Sequence, residues 1–262
     1  MRPVLLWVHG GGYVLGTASQ DDVFCSRLMA ATGVSVVSVN YRLAPEHPWP
    51  AALDDCTAAL DFLESEGPSL GLDISRLVVG GQSAGGGLAA ALVLRMFDSG
   101  RSPALLQLLS SPMLDDRTTG RRQQLDVRMW DEASNLRGWR AYLGRQPGSE
   151  DISDWMAPAR RVQMSGLPPA WVGVGTEDLF HDEDVDYAQR LKADGVPCAL
   201  EVVEGAFHGF DSSCPDLPVS QAFFASQCKA IRQALETYEQ RTDSQTVLTV
   251  DKPNAQTRGE VE

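Results

Sequence analysis

LVVGGQSAGGGLAAALVLRMF, residues 77–97, changes character in the middle. An apolar run of strand type gives way to glycines around a single serine, and an alanine- and leucine-rich stretch of helical type follows. The centre, Gly81-Gln82-Ser83-Ala84-Gly85, has the spacing G-x-S-x-G. Between a strand and a helix that spacing describes a tight, strained turn with an exposed hydroxyl at its tip. Bulky side chains two residues to either side would collide across the turn, so glycine suits both places. The following helix also aims its positive end at any negative charge developing beside the serine.

A second glycine cluster stands in LLWVHGGGYV, residues 5–14, just after the first apolar run. Ordering three glycines is entropically expensive, so a bare backbone there needs a reason. Acyl transfer supplies one. Its oxyanion is stabilised by main-chain N–H groups only if side chains stay clear. Gly11 and Gly12 are the candidate donors, with Ala84, next to the serine, as a third. His9 and Gly10 complete the HGGG sequence, and His9 is read as orienting the loop.

A nucleophilic serine needs a base, and the base needs an orienting carboxylate. The chain has four histidines. His9 belongs to the glycine loop, His47 to the proline-fixed APEHPWP, and His181 to an exposed helix start. His208, in GAFHGF past the sixth apolar run, is the candidate base. Past the fifth run stand Glu177, Asp178 and Asp182. Asp178 is the candidate acid, because ligand sites of open α/β sheets gather at the carboxyl edge of the strands. Asp182 is the alternative.

Short apolar runs recur at 4–10, 35–42, 77–82, 105–111, 170–178 and 199–205, separated by helix-like segments. That alternation predicts an α/β fold: a mostly parallel sheet of about six strands with helices on both faces. Residues 115–160 are polar, arginine-rich and dotted with tryptophan, and they read as a lid or cap insertion. Trp130 and Trp139 are candidate pocket walls, with core packing as the competing role. The hydrolytic domain is placed at 1–241, and 242–262 read as a disordered tail. The net charge of −13, from 22 basic and 35 acidic residues, excludes a nucleic-acid partner. No run approaches the ~18 apolar residues of a membrane span. Five cysteines without ligand spacing read as free thiols of a cytoplasmic protein. The glycines spell neither a dinucleotide nor a P-loop pattern, and no metal-ligand cluster is present, so neither cofactor nor metal is expected.

HGGG (9–12), YRLAPEHPWPAALDD (41–55), GGQSAGG (80–86), SPMLDDR (111–117), GLPPAWVGVGTEDLFHDED (166–184) and GAFHGFD (205–211) together resemble the hormone-sensitive-lipase-like, or bacterial family IV, esterases of the α/β-hydrolase superfamily. The resemblance implies an α/β-hydrolase fold and hydrolysis of short- to medium-chain carboxylic esters through a serine acyl-enzyme. It assigns Ser83 as nucleophile, Asp178 as acid, His208 as base, and Gly11, Gly12 and Ala84 as oxyanion donors. An amidase or arylformamidase using the same triad, and a non-catalytic small-molecule binder on the same fold, are the alternatives. Two departures stand out. Gln82 occupies a position where the family usually has aspartate. The chain also starts almost on the HGGG strand, without the two strands and cap helices that usually precede it. The run 35–42 is then expected to form an exposed sheet edge, open to pairing with a second copy.

Overall fold

All six apolar runs form strands: β1 (Arg2–Val8), β2 (Ser35–Val39), β3 (Leu72–Gln82), β4 (Leu106–Ser110), β5 (Ala170–Gly175) and β6 (Cys198–Val203). The computed structural model describes residues 1–118 and 129–250, without the side chains of 245–250. The strands make one sheet in the order β2-β1-β3-β4-β5-β6, and every neighbouring pair is parallel. Parallel neighbours require crossovers, which α1 (Asp22–Thr32), α2 (Ala51–Glu66), α3 (Ala84–Asp98), α4 (Glu132–Leu143) and α5 (His181–Ala193) provide. α6 (Phe210–Ser213) and α7 (Pro218–Val250) follow the last strand.

Both faces of the sheet are covered, which is why the strands read as nearly continuous apolar runs. Along β1, Val4, Leu6 and Val8 enter one core with residues of α2, α3 and α5, while Leu5 and Trp7 enter a second with residues of α1 and α7. The two-residue period of a strand sorts them. α4 joins the first core through fully buried Trp139 and its neighbour Tyr142, and Tyr13 stacks on the Tyr142 ring at 4.0 Å. Asp131 caps this helix, accepting from the Ser134 N–H at 2.7 Å.

Strand order turns at β1 and β3. The chain steps outward from β1 to β2, then returns across β1 to β3, so the loops after β1 and β3 part in opposite directions. The crevice between them is where an open α/β sheet binds its ligand. It holds the HGGG loop on one side and Ser83 on the other.

The sequence reading ended the folded domain at 241. The last helix runs on to Val250, and residues 251–262 lie outside the described residues. Of the cap segment at 115–160, residues 119–128 also lie outside them. Trp139 proves to be core. No helix among the described residues is long and apolar enough to cross a membrane.

Two contacts fix how α3 and α5 sit. A Cβ added to Gly85 would stand 2.1 Å from the Val8 carbonyl oxygen, so only glycine lets the first turn of α3 lie against the end of β1. Gly85→Ala is expected to destabilise the fold by about 3 kcal/mol, lowering Tm by roughly 6–12 °C in a thermal melt.

In α5, buried Glu183 accepts the main-chain N–H groups of Leu114 at 2.7 Å and Asp115 at 3.1 Å, and its other oxygen meets the Thr118 hydroxyl. Burial pushes its carboxyl up to about 8, against the hydrogen bonds from Thr118 and the Leu114 N–H. The unfolded chain ionises this group near 4.5 while the fold keeps it protonated, so stability falls as pH rises from there toward about 8. Glu183→Gln keeps the acceptor and supplies an N–H for Thr118. At pH 7.5 this variant is expected to melt roughly 2–6 °C above the parent, and the gap should close by pH 4.5.

Candidate active site

Ser83 stands at φ 55°, ψ −124°, a left-handed conformation that side-chain-bearing residues rarely adopt. Three main-chain hydrogen bonds hold it there. Its N–H donates to Ser110 O at 2.9 Å, and its carbonyl accepts from Gly87 N–H at 3.0 Å and Met113 N–H at 2.9 Å. Strain on the order of 1–3 kcal/mol persists only where the surroundings over-determine the geometry, as these bonds do. The hydroxyl is thereby lifted off the end of β3 toward the loop after β6.

That loop presents His208. Its Nε2 accepts from the Ser83 hydroxyl at 2.9 Å, and its Nδ1–H donates to Asp178 Oδ2 at 2.8 Å. The carboxylate selects the tautomer that leaves Nε2 free to take a proton. Asp178 lies in the turn after β5, and its other oxygen accepts the Phe180 N–H at 3.0 Å. All three residues are buried: 6% of Ser83, 8% of His208 and none of Asp178 is exposed. Burial alone would push the imidazole down. The Asp178 carboxylate more than offsets it and Asp211 adds in the same direction, so the ring titrates above its ordinary 6.5.

The HGGG loop closes the other side. Gly10 packs on the nucleophile, where an added Cβ would lie 3.3 Å from Ser83 Cβ. Gly11 and Gly12 both have positive φ, 124° and 59°. A Cβ on Gly11 would strike the Leu15 carbonyl at 2.1 Å, and one on Gly12 the Trp130 ring at 2.0 Å. Among the described residues nothing accepts a hydrogen bond from the N–H of Gly11 or Gly12, and the Ala84 N–H lies in the unpaired first turn of α3. His9 is wholly buried, stacked on Tyr41 with centroids 4.2 Å apart, and its Nδ1–H donates to Gly10 O at 2.7 Å. Tyr41 OH donates to His9 O at 3.0 Å. These contacts fix the course of the loop.

The remaining sequence candidates stay apart from this cluster. Glu177 and His47 are exposed, and the Asp182 carboxylate pairs with His181 Nδ1 at 2.8 Å on the surface of α5. Gln82 does meet a partner the sequence reading overlooked: its Nε2 donates to Asp211 Oδ1 at 3.2 Å. Asp211 follows His208 by one helical turn, a spacing visible in GAFHGFD, but no local pattern pairs it with a residue 129 positions away. Trp130 lies over Gly12 with its indole N–H on Asn135 Oδ1 at 3.3 Å.

Known proteins share this architecture. A family profile described as the alpha/beta hydrolase fold matches residues 5–212. Esterase LipI of Mycobacterium tuberculosis is 35% identical over 210 residues, which are 79% of this chain and 65% of that one. Carboxylesterase NlhH of the same organism is 34% identical over 241 residues, 89% of this chain and 74% of its own. The solved structure of a bacterial heroin esterase superposes with TM-score 0.85 at 40% identity, covering 89% of this chain and 75% of that one. The chain thus spans about two thirds to three quarters of the length of these relatives. By its matched sequence and its sheet, it belongs to the α/β-hydrolase fold family, in the hormone-sensitive-lipase-like group.

Proposed function

We propose that the protein is a serine carboxylesterase that hydrolyses short- to medium-chain carboxylic esters. The observation that carries this reading is the unbroken path from Asp178 through His208 to Ser83, with links of 2.8 and 2.9 Å, beside a loop of bare amides. The relatives' names, esterase and carboxylesterase, point the same way.

In this mechanism His208 Nε2 takes the Ser83 proton as Oγ attacks the ester carbonyl. The N–H groups of Gly11, Gly12 and Ala84 stabilise the oxyanion, and Asp178 stabilises the imidazolium. The intermediate collapses to an acyl-enzyme as His208 protonates the departing alcohol. Water, deprotonated by the same nitrogen, then releases the acid and restores the serine. Every step is carried by side chains and main-chain amides, so the reading requires neither cofactor nor metal. An amidase or arylformamidase would use the same groups, and matched ester and amide substrates separate the two. A non-catalytic binder would fold yet never react with a fluorophosphonate.

On a p-nitrophenyl butyrate assay, Ser83→Ala is expected to lose at least ~10⁴-fold in kcat and to resist fluorophosphonate labelling. The base must be neutral to act, so kcat/KM of the parent should fall on acidification with a midpoint above 6.5. Undiminished turnover in Ser83→Ala would remove the assigned nucleophile.

Two further points belong to this reading. The five cysteines are free, in keeping with a cytoplasmic location. The β2 edge carries half-buried Val36 and Val37 and pairs, among the described residues, with β1 alone. A second copy pairing along that edge gives a homodimer. Sedimentation is expected to show a dimer that Val37→Lys dissociates; a monomeric parent at micromolar concentration would contradict it.

A further inference from the structure

Gln82 and Asp211 are not needed to write the reaction, yet they join its two halves. Gln82 is the last residue of β3, directly before the nucleophile, and Asp211 sits three residues after His208 in α6. Their hydrogen bond, at 3.2 Å, is a cross-link between the strand that carries the serine and the loop that carries the base. We propose that this pair is a strut holding His208 against Ser83, and that Asp211, three residues along from the imidazole and tied to β3, is a second anionic positioning residue for it. The inference rests on the esterase reading and deepens it.

Chemistry explains why the strut is an amide and a carboxylate. Aspartate at 82 would set two carboxylates in contact, and their like charges would repel. Glutamine donates without a charge of its own and leaves Asp211 as the only anion of the pair. Burial pushes the Asp211 carboxyl up, while the main-chain N–H groups of Asp211 and Ser212 and the charge of His208 pull it back. The electrostatics run both ways, since Asp211 raises His208.

The surroundings of the imidazole are few. Ser83 faces it from the β3 turn and Asp178 from the turn after β5, the Phe180 ring meets it edge-on at 5.1 Å, and Asp211 in α6 adds its charge. Behind the strut lies a cavity of about 150 Å³ lined by Trp7, Asp21, Arg27, Gln82, Ser110 and Asp211 among others. Within it, Asp21 accepts the Trp7 indole N–H at 2.8 Å and raises Asp211 by its charge, and Arg27 lies over the Phe224 ring at 4.4 Å. Among the described residues Asp178 and Asp211 are therefore the carboxylates that act on His208, and the β3 hydrogen bond holds the second.

The test is the acid limb of kcat/KM on p-nitrophenyl butyrate in four proteins of verified melting temperature. Asp211→Asn removes the second charge and is expected to move the limb down by about half a unit. Gln82→Glu adds a charge and should move it up by a similar amount, with kcat falling about tenfold as the two carboxylates repel. The double variant Gln82→Glu with Asp211→Asn exchanges donor and acceptor while keeping one charge. It is expected to bring the limb and kcat back to within about twofold of the parent. A residue that merely fills space would shift melting temperature but leave the limb unmoved. Identical limbs in all four proteins would overturn the strut, and so would a double variant no better than Gln82→Glu alone. A parent that neither turns over ester nor labels with fluorophosphonate would instead defeat the esterase reading.

Discussion

A serine at positive φ is held in place by its neighbours, and the rest of the site is built outward from that constraint. The main-chain bonds to Ser110, Gly87 and Met113 come from a strand end, a helix turn and the loop beyond β4, so the strain is shared among three elements. None of them relaxes alone without breaking a buried hydrogen bond, at a cost comparable with the strain itself, and three such bonds together outweigh it. Gly85 makes the arrangement possible by letting α3 touch the end of β1. Local free energy is given up at residue 83, and the packing of the whole first core holds it there.

Electrostatics complete what geometry begins. The imidazole is buried, which disfavours its charged form, and then supplied with carboxylates that favour it. The outcome is an imidazole whose charge is stabilised when it accepts a proton, as the proposed base requires. The glycine loop is proposed to act in the complementary sense: Gly10 packs on the serine, and the N–H groups of Gly11 and Gly12 have no acceptor among the described residues. Positive and negative partial charges are thus fixed in place before any substrate arrives, and little reorganisation is left for the reaction itself.

Much of this was legible in the chain. Nearly continuous apolar runs marked all six strands because both sheet faces are covered, and G-x-S-x-G and HGGG marked the two loops at the crevice because only glycine fits their backbones. His208 and Asp178 stood out by lying just past strand ends. What escaped reading depends on burial and on distance along the chain. Glu183 looks like an ordinary acidic first turn of α5 until the fold delivers the Leu114 and Asp115 amides to it. Asp211 acquires meaning only when β3 is placed within reach of α6. Trp139 carries no local mark that separates a pocket wall from core, and Tyr13 decides it. The length of α7 was hidden because its distal turns lack apolar periodicity.

The order of parts along the polymer has a consequence for synthesis. The glycine loop and the turn at Ser83 emerge from the ribosome ahead of His208, which leaves more than 120 residues after Ser83. Over that interval the growing polypeptide carries Ser83 without its imidazole partner, and the Trp7 side of the sheet waits for α7 to cover it. The imidazole beside Ser83 and the cover of the second core therefore arrive together, once β6 has been made. Until then the nascent chain exposes apolar surface, a period in which chaperones are its natural company.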